Sequence, residues 1–162
     1  MVHIFCALEE EAYAVRTLVL SNVSVYVTGV GVTNMFKAVK RCISSHNNED
    51  TYLNVGVCGA SIDYPIGSVI NLTSPDFLGV LTCVRRVASA ECGHTLVDME
   101  SKGFLLATKG IKKVGIVKVV SDHFDSSVLN KEYIRSVMLR SNPELHYTIN
   151  NIITKDFIKW IN

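Results

Sequence analysis

Three acidic sites follow apolar runs in this chain, and their residue types suit acid–base chemistry. Glu9-Glu10-Glu11 comes after Val2 to Leu8. Asp98 and Glu100 flank Met99 in the turn Val97-Asp98-Met99-Glu100-Ser101. Asp122 and Asp125 enclose His123 in Ser121-Asp122-His123-Phe124-Asp125. Carboxyl groups in differing surroundings can divide acid and base roles between them. Each site also has a plain structural explanation. Glu9 to Glu11 suit a helix start, Asp98 suits a helix cap and Glu100 the dipole of the helix that follows. Two glycine-bearing stretches, Gly29-Val30-Gly31 and Gly56-Val57-Cys58-Gly59, also end apolar runs and let backbone approach a ligand closely. If the runs are parallel strands, all five stretches reach one edge of the sheet and face a shared cleft.

Other site chemistries find little support. Asn34 stands where a dinucleotide fingerprint wants its third glycine, and there is no Walker loop or Gly-x-Ser-x-Gly elbow. Cys92 and His94 resemble half of a zinc site, but no second ligand pair lies at useful spacing. Neither a metal nor a cofactor is expected.

The elements that must hold these residues alternate. Val2 to Leu8, Val23 to Thr28, Tyr52 to Cys58, Ser68 to Leu72, Val80 to Val87 and Val114 to Val120 read as strands. Helices are expected from Glu9 to Leu20, with Ala12, Val15 and Val19 on one face, and from Thr33 to Ser45. Another follows the central turn to about Lys109. Asn130 caps a helix from Lys131 to about Arg140. Asn142-Pro143 starts a last helix with an apolar stripe from Leu145 to Ile161. The pattern predicts one α/β domain over 1–162, with a largely parallel sheet flanked by helices.

Composition sets outer bounds. The 162 residues carry a net charge of +1, from 16 basic and 15 acidic residues without charge blocks. No nucleic-acid or membrane partner is implied. Charged residues make up 19%, below the roughly 25% of average domains, which points to a well-buried sheet and an apolar surface for self-association. Five cysteines at irregular spacing fit buried thiols in a reducing compartment. The first residues lack a signal-peptide pattern and no apolar run reaches membrane-span length, so a soluble, cytoplasmic protein is expected.

Five motifs occur in the order seen in the purine nucleoside phosphorylase and methylthioadenosine/adenosylhomocysteine nucleosidase superfamily. They are Ala7-Leu8-Glu9-Glu10-Glu11, Thr28-Gly29-Val30-Gly31, Val55-Gly56-Val57-Cys58-Gly59-Ala60, Val97-Asp98-Met99-Glu100 and Val120-Ser121-Asp122-His123. The chain resembles that superfamily from Ala7 to Asp125. Its Val-Asp-Met-Glu-Ser form is most similar to the hopanoid-associated and futalosine-type branches. The resemblance implies a shortened, single-domain phosphorylase/hydrolase-like fold with a mixed, mostly parallel central sheet flanked by helices, cleavage of the N-glycosidic bond of a purine nucleoside or thionucleoside, and a homodimer.

It also implies roles. Asp122 would protonate the purine at N7, so its carboxyl must hold a proton when the base leaves. Ser121 would join the substrate site beside it. Glu100 would accept hydrogen bonds from the ribose hydroxyls, with Met99 as an apolar floor under the sugar. Glu11 would orient or deprotonate the attacking water. Gly59 and the backbone near Val87 would flank the base.

Departures from the pattern bear on the reaction. Phosphorolytic relatives hold phosphate with a serine and an arginine where this chain has Val57 and Asn54, and valine offers no side-chain donor. Arg16 and Arg85 are not placed by a motif. Hydrolysis is therefore expected over phosphorolysis. A strand–helix segment present in relatives is missing between Ile70 and Val80, Arg85 stands where relatives often have aspartate, and Val87 replaces a base-stacking aromatic. These losses keep open a nucleoside-binding protein without activity.

Overall fold

The structure, a computed structural model, describes residues 1–73, 80–86 and 93–154. Its first strand, β1 (Val2–Cys6), is buried along its whole length, as expected of a run without polar alternation inside a parallel sheet. β2 (Val23–Val27) and β3 (Thr51–Ala60) pair with it in parallel on either side. β7 (Val114–Asp122) runs parallel along the other edge of β3. Three short strands complete the sheet. β4 (Val69–Asn71) lies antiparallel to β7, β6 (Leu96–Asp98) antiparallel to β3, and β5 (Leu81–Cys83) parallel to β6. The sheet is mostly parallel, as the alternating pattern predicts, and mixed, as the family resemblance implies.

Helices cover both faces. α1 (Glu9–Arg16), α4 (Lys131–Arg140) and α5 (Asn142–Thr154) pack on one face through Ala12, Val15, Val137, Met138, Leu145 and Ile149. α2 (Val32–Ser45) and α3 (Ser101–Ala107) pack on the other through Met35, Val39 and Phe104. The alternation of β7 serves both layers, with Val117 and Val119 facing one and Ile116 and Val120 the other.

α1 stops short of the expected Leu20. The Thr17 hydroxyl donates to the Ala14 carbonyl and Asn22 turns the chain at φ +56°. Val19 therefore leaves the apolar face assigned to it and is 90% exposed. The end of the apolar stripe of α5, Phe157, Trp160 and Ile161, lies outside the described residues.

The pairing along β3 positions everything that follows. Its first half, Thr51 to Asn54, pairs with β1, while Gly59 and Ala60 pair with β6 on the same edge. Between them, 55–58 have no strand partner on that edge. A parallel strand left open in this way exposes backbone donors to whatever enters the gap.

Candidate active site

Glu11 enters the gap. The acidic first turn of α1 follows β1 directly, and its third carboxylate folds back under the chain. Glu11 Oε2 accepts from the amides of Ala7 (2.8 Å) and Leu8 (2.9 Å), and Oε1 accepts from the Val57 amide (2.8 Å). One side chain thus caps a helix and closes the open edge of β3. A Cβ at Gly56 would lie 2.6 Å from Glu11 Oε1, so any side chain there would displace the Glu11 carboxylate. Burial pushes the Glu11 pKa up to about 7, against the pull of Lys118 and of the Val57 and Leu8 amides. Glu9 and Glu10 do not join it. Glu9 pairs with Arg16 at the surface and Glu10 lies toward Lys131.

Asp98 and Glu100 arrive from the other side. Asp98 ends β6 two residues before the N-cap of α3, which is Glu100, and its carboxylate accepts from the Ser101 amide (2.9 Å) and hydroxyl (2.6 Å) of the first helical residue. Its second role is an ion pair, 2.8 Å from Lys118 Nζ. Glu100 is buried and accepts from the Gly31 amide at 2.9 Å. Gly31, the N-cap of α2, sits at φ +100°, where only glycine is unstrained. Burial raises the pKa of Glu100, opposed by Lys118 and the Gly31 amide.

Asp122 is the last residue of β7 and is buried. The Ser121 hydroxyl lies 2.7 Å from Asp122 Oδ2 and 3.1 Å from the Cys58 carbonyl. The Tyr133 hydroxyl of α4 donates to the Ser121 carbonyl at 2.8 Å, fixing the strand end from behind. A Cβ at Gly59 would come within 3.2 Å of Asp122 Oδ1, Phe124 and Val97, so the absent side chain leaves the carboxyl open to the cleft. Asp125 points elsewhere, capping the turn at Ser127. His123 is tied to the Ala60 carbonyl at 3.2 Å.

One cleft is lined by Glu11, Gly59, Met99, Glu100, Ser121 and Asp122, with Asp98, Val57, Val84 and Phe124. Six of the seven residues expected at the site meet there. The seventh, Val87, lies outside the described residues. Asn54 does not reach the cleft; its amide donates to the Phe5 carbonyl within the sheet. Arg16 is held by Glu9, Arg85 is exposed, and no arginine lines the cleft among the described residues.

Two residues went unremarked in the sequence. Lys118 is 1% exposed. Burial alone would lower its pKa, but Asp98, Glu100 and Glu11 outweigh this and hold the ammonium charged. A lysine in the middle of a fully buried strand was the available signal, since buried lysines are almost always paired. Phe124 lines the cleft two residues beyond Asp122 at φ +62°. A bulky residue in the left-handed region is a genuine outlier, and such strain clusters at functional sites. No sequence signal marks a backbone angle of that kind.

No protein-family model matches the chain, and no curated protein matches it in sequence. Solved structures do match. The methylthioadenosine/adenosylhomocysteine nucleosidase of Colwellia psychrerythraea 34H, in complex with adenine, superimposes with a TM-score of 0.75 at 11% identity, over 93% of this chain and 95% of that one. The corresponding nucleosidase of Streptococcus pneumoniae, with a transition-state inhibitor, gives 0.70 at 17% identity, over 91% and 97%. Futalosine hydrolase of Helicobacter pylori strain 26695 gives 0.69 at 10% identity, over 94% and 96%. The fold is that of these nucleosidases. At such low identity the likeness shows the nucleosidase fold alone, and the chemistry rests on the cleft. The segment expected to be missing between Ile70 and Val80 falls largely on 74–79, outside the described residues. Among the described residues no helix is long and apolar enough to cross a membrane.

Proposed function

We propose that this chain hydrolyses the N-glycosidic bond of a purine nucleoside or thionucleoside and releases the free base. The observation that carries the proposal is the charge of the cleft. Four buried carboxyl groups, Glu11, Asp98, Glu100 and Asp122, surround the cleft with Lys118 as their buried cation. As the glycosidic bond stretches, the sugar becomes an oxocarbenium-like cation, which such a site stabilises. The same site disfavours a phosphate dianion. Val57 adds to this, because its side chain has no donor and its amide already serves Glu11.

Each group has a task. Asp122 gives its proton to purine N7 as the C1′–N9 electron pair leaves with the base, and Ser121 holds Asp122 in place. Phe124, beside Gly59, offers a ring to the base where Val87 offers none. Glu100 accepts from the ribose hydroxyls and Met99 lies under the sugar. Water adds its oxygen to C1′ and loses a proton to Glu11. A carboxylate has about four acceptor positions. The amides of Ala7, Leu8 and Val57 use three, leaving one for that water. A pKa of about 7 suits a general base at neutral pH. No cofactor takes part. The nucleosidase neighbours, one with adenine and one with a transition-state inhibitor, support the substrate class.

We further propose that the chain acts in the cytoplasm as a homodimer built as a single domain over 1–162. Leu105 and Leu106 of α3 are exposed and supply an apolar face for a second copy. Light scattering tests the dimer, and a monomer at all concentrations overturns it.

The decisive experiment follows base release from methylthioadenosine, adenosylhomocysteine, adenosine, inosine and futalosine, with and without phosphate. Release without phosphate is expected from at least one of them. Asp122→Asn should lower it by about 10²–10⁴-fold, the usual contribution of a general acid, in a folded protein. Release only with phosphate, yielding a sugar 1-phosphate, makes the chain a phosphorylase. No release from folded protein points to a binding protein or to a substrate outside this panel.

A further inference from the structure

A second cluster lies at the opposite end of the sheet, where β1 and β3 begin and α2 ends. His3 is fully buried in β1, Cys42 is buried in the last turns of α2, and His46 is exposed at the α2 C-cap. One nitrogen of each imidazole and Cys42 Sγ all lie within 4.8 Å of one another. The two rings stand edge-on, 4.4 Å between centroids.

Hydrogen bonds fix which nitrogens are free. His3 Nε2 lies 3.2 Å from Asp50 Oδ2, and an ionised carboxylate only accepts, so Nε2 carries the hydrogen. The Nδ1 lone pair of His3 then faces the Tyr26 hydroxyl at 3.1 Å, which also contacts the Cys42 thiol. His46 Nδ1 lies 2.8 Å from the Cys42 carbonyl, to which it donates, and 3.6 Å from Cys42 Sγ, so the nitrogen in contact with the sulfur carries the hydrogen and the lone pair is on Nε2. His3, which gives its N–H to a carboxylate, is oriented as metal-ligating histidines are.

We infer that His3, Cys42 and His46 form a zinc site, with Asp50 orienting His3 and water in the fourth position. One thiolate and two imidazoles select zinc over magnesium or calcium. At zinc–ligand distances of about 2.0–2.3 Å, neighbouring ligands of a tetrahedron stand about 3.3–3.8 Å apart. The cluster therefore contracts on binding, and exposed His46 supplies the route of entry and the movement, its ring turning away from the Nδ1 contacts so that Nε2 takes the metal. Cys42 releases its thiol proton to solvent as the sulfur–zinc bond forms, and Tyr26 gives up its contacts. The metal ties the end of α2 to the start of β1, far from the cleft.

The test uses the full chain stripped of metal by a chelator and titrated with cobalt(II), then zinc. Cobalt should produce a thiolate charge-transfer band in the near ultraviolet and tetrahedral bands in the visible, and zinc should displace both and raise the melting temperature. Cys42→Ser should remove the charge-transfer band. Asp50→Asn should weaken zinc binding by about 10–100-fold, as outer-shell changes do. His46→Ala, at an exposed position, should weaken it further while base release is unchanged. Folded wild-type protein without the band overturns the site. A band that survives in Cys42→Ser does so too, by locating the thiolate elsewhere.

Discussion

Lys118 decides whether the acids of the cleft are tolerable inside the protein. It contacts Asp98 directly and also lowers the pKa of Glu11 and Glu100. Removing one partner of a buried pair leaves an uncompensated charge, which costs roughly 3–5 kcal/mol, whereas removing both is often nearly neutral. Lys118→Met should accordingly destabilise the fold by about 3 kcal/mol in urea unfolding. Adding Asp98→Asn should restore much of that loss, since the Ser101 hydroxyl and amide still bond the side chain at 98. Equal and additive losses would mean that Lys118 acts through packing alone. The residue scale was also where the sequence was most legible. Glu11, Glu100 and Asp122 are polar groups at the ends of apolar runs, and burial there is visible in the letters. Lys118 was visible in the same way but passed as part of its strand. Phe124 was not, because its position depends on a backbone angle.

At the scale of elements, the long parallel strands and α2, α4 and α5 follow from periodicity, because ten or so residues repeat a pattern often enough to read. Two short strands, β4 and β5, lie inside the runs expected from Ser68 to Leu72 and Val80 to Val87, whereas β6, at three residues, is too short to carry a period. Parallel strands alone would bring the acids to one edge of the sheet. Glu11 and Asp122 follow that rule. Glu100 does not, because β6 runs antiparallel to β3; it reaches the cleft because β6 joins the same edge of β3 beyond the gap that β1 leaves. Pairing over that distance is set by tertiary contacts, not by local pattern. One glycine makes the arrangement possible. A Cβ at Gly103 would lie 2.2 Å from the Val32 carbonyl oxygen, so α3 packs on the start of α2 only without a side chain there. Backbone cannot yield as a side-chain tip does. Gly103→Ala should lower stability by about 2 kcal/mol or more, the upper range of overpacking. It should also weaken substrate binding by separating Glu100 from Gly31, since the two helix starts carry both groups. A neutral change in melting temperature would show that α3 can shift without loss.

For the whole molecule, the site and the stability of the fold share a proton. Burial raises the Glu11 pKa from its ordinary 4.5 to about 7, and raises Glu100 in the same direction. A carboxyl whose folded pKa lies above its unfolded one binds protons more tightly when folded. Its contribution to stability is complete below about pH 4.5 and disappears as pH rises through 7. His3 acts oppositely. Burial lowers its pKa below 6.5, so stability gained from neutral His3 is lost as pH falls. Comparison with Glu11→Gln separates the two. The stability of the wild type relative to that variant should fall between pH 5 and pH 8 by as much as about 3 kcal/mol, about 1.4 kcal/mol for each unit of pKa displacement. Base release should rise over the same interval, because water is activated only by the ionised form of Glu11. Both curves then turn near pH 7 and both turns vanish in Glu11→Gln. If release turns at a pH where stability does not, a different group supplies the base, and Glu11 is left with the structural task its three amide bonds already describe.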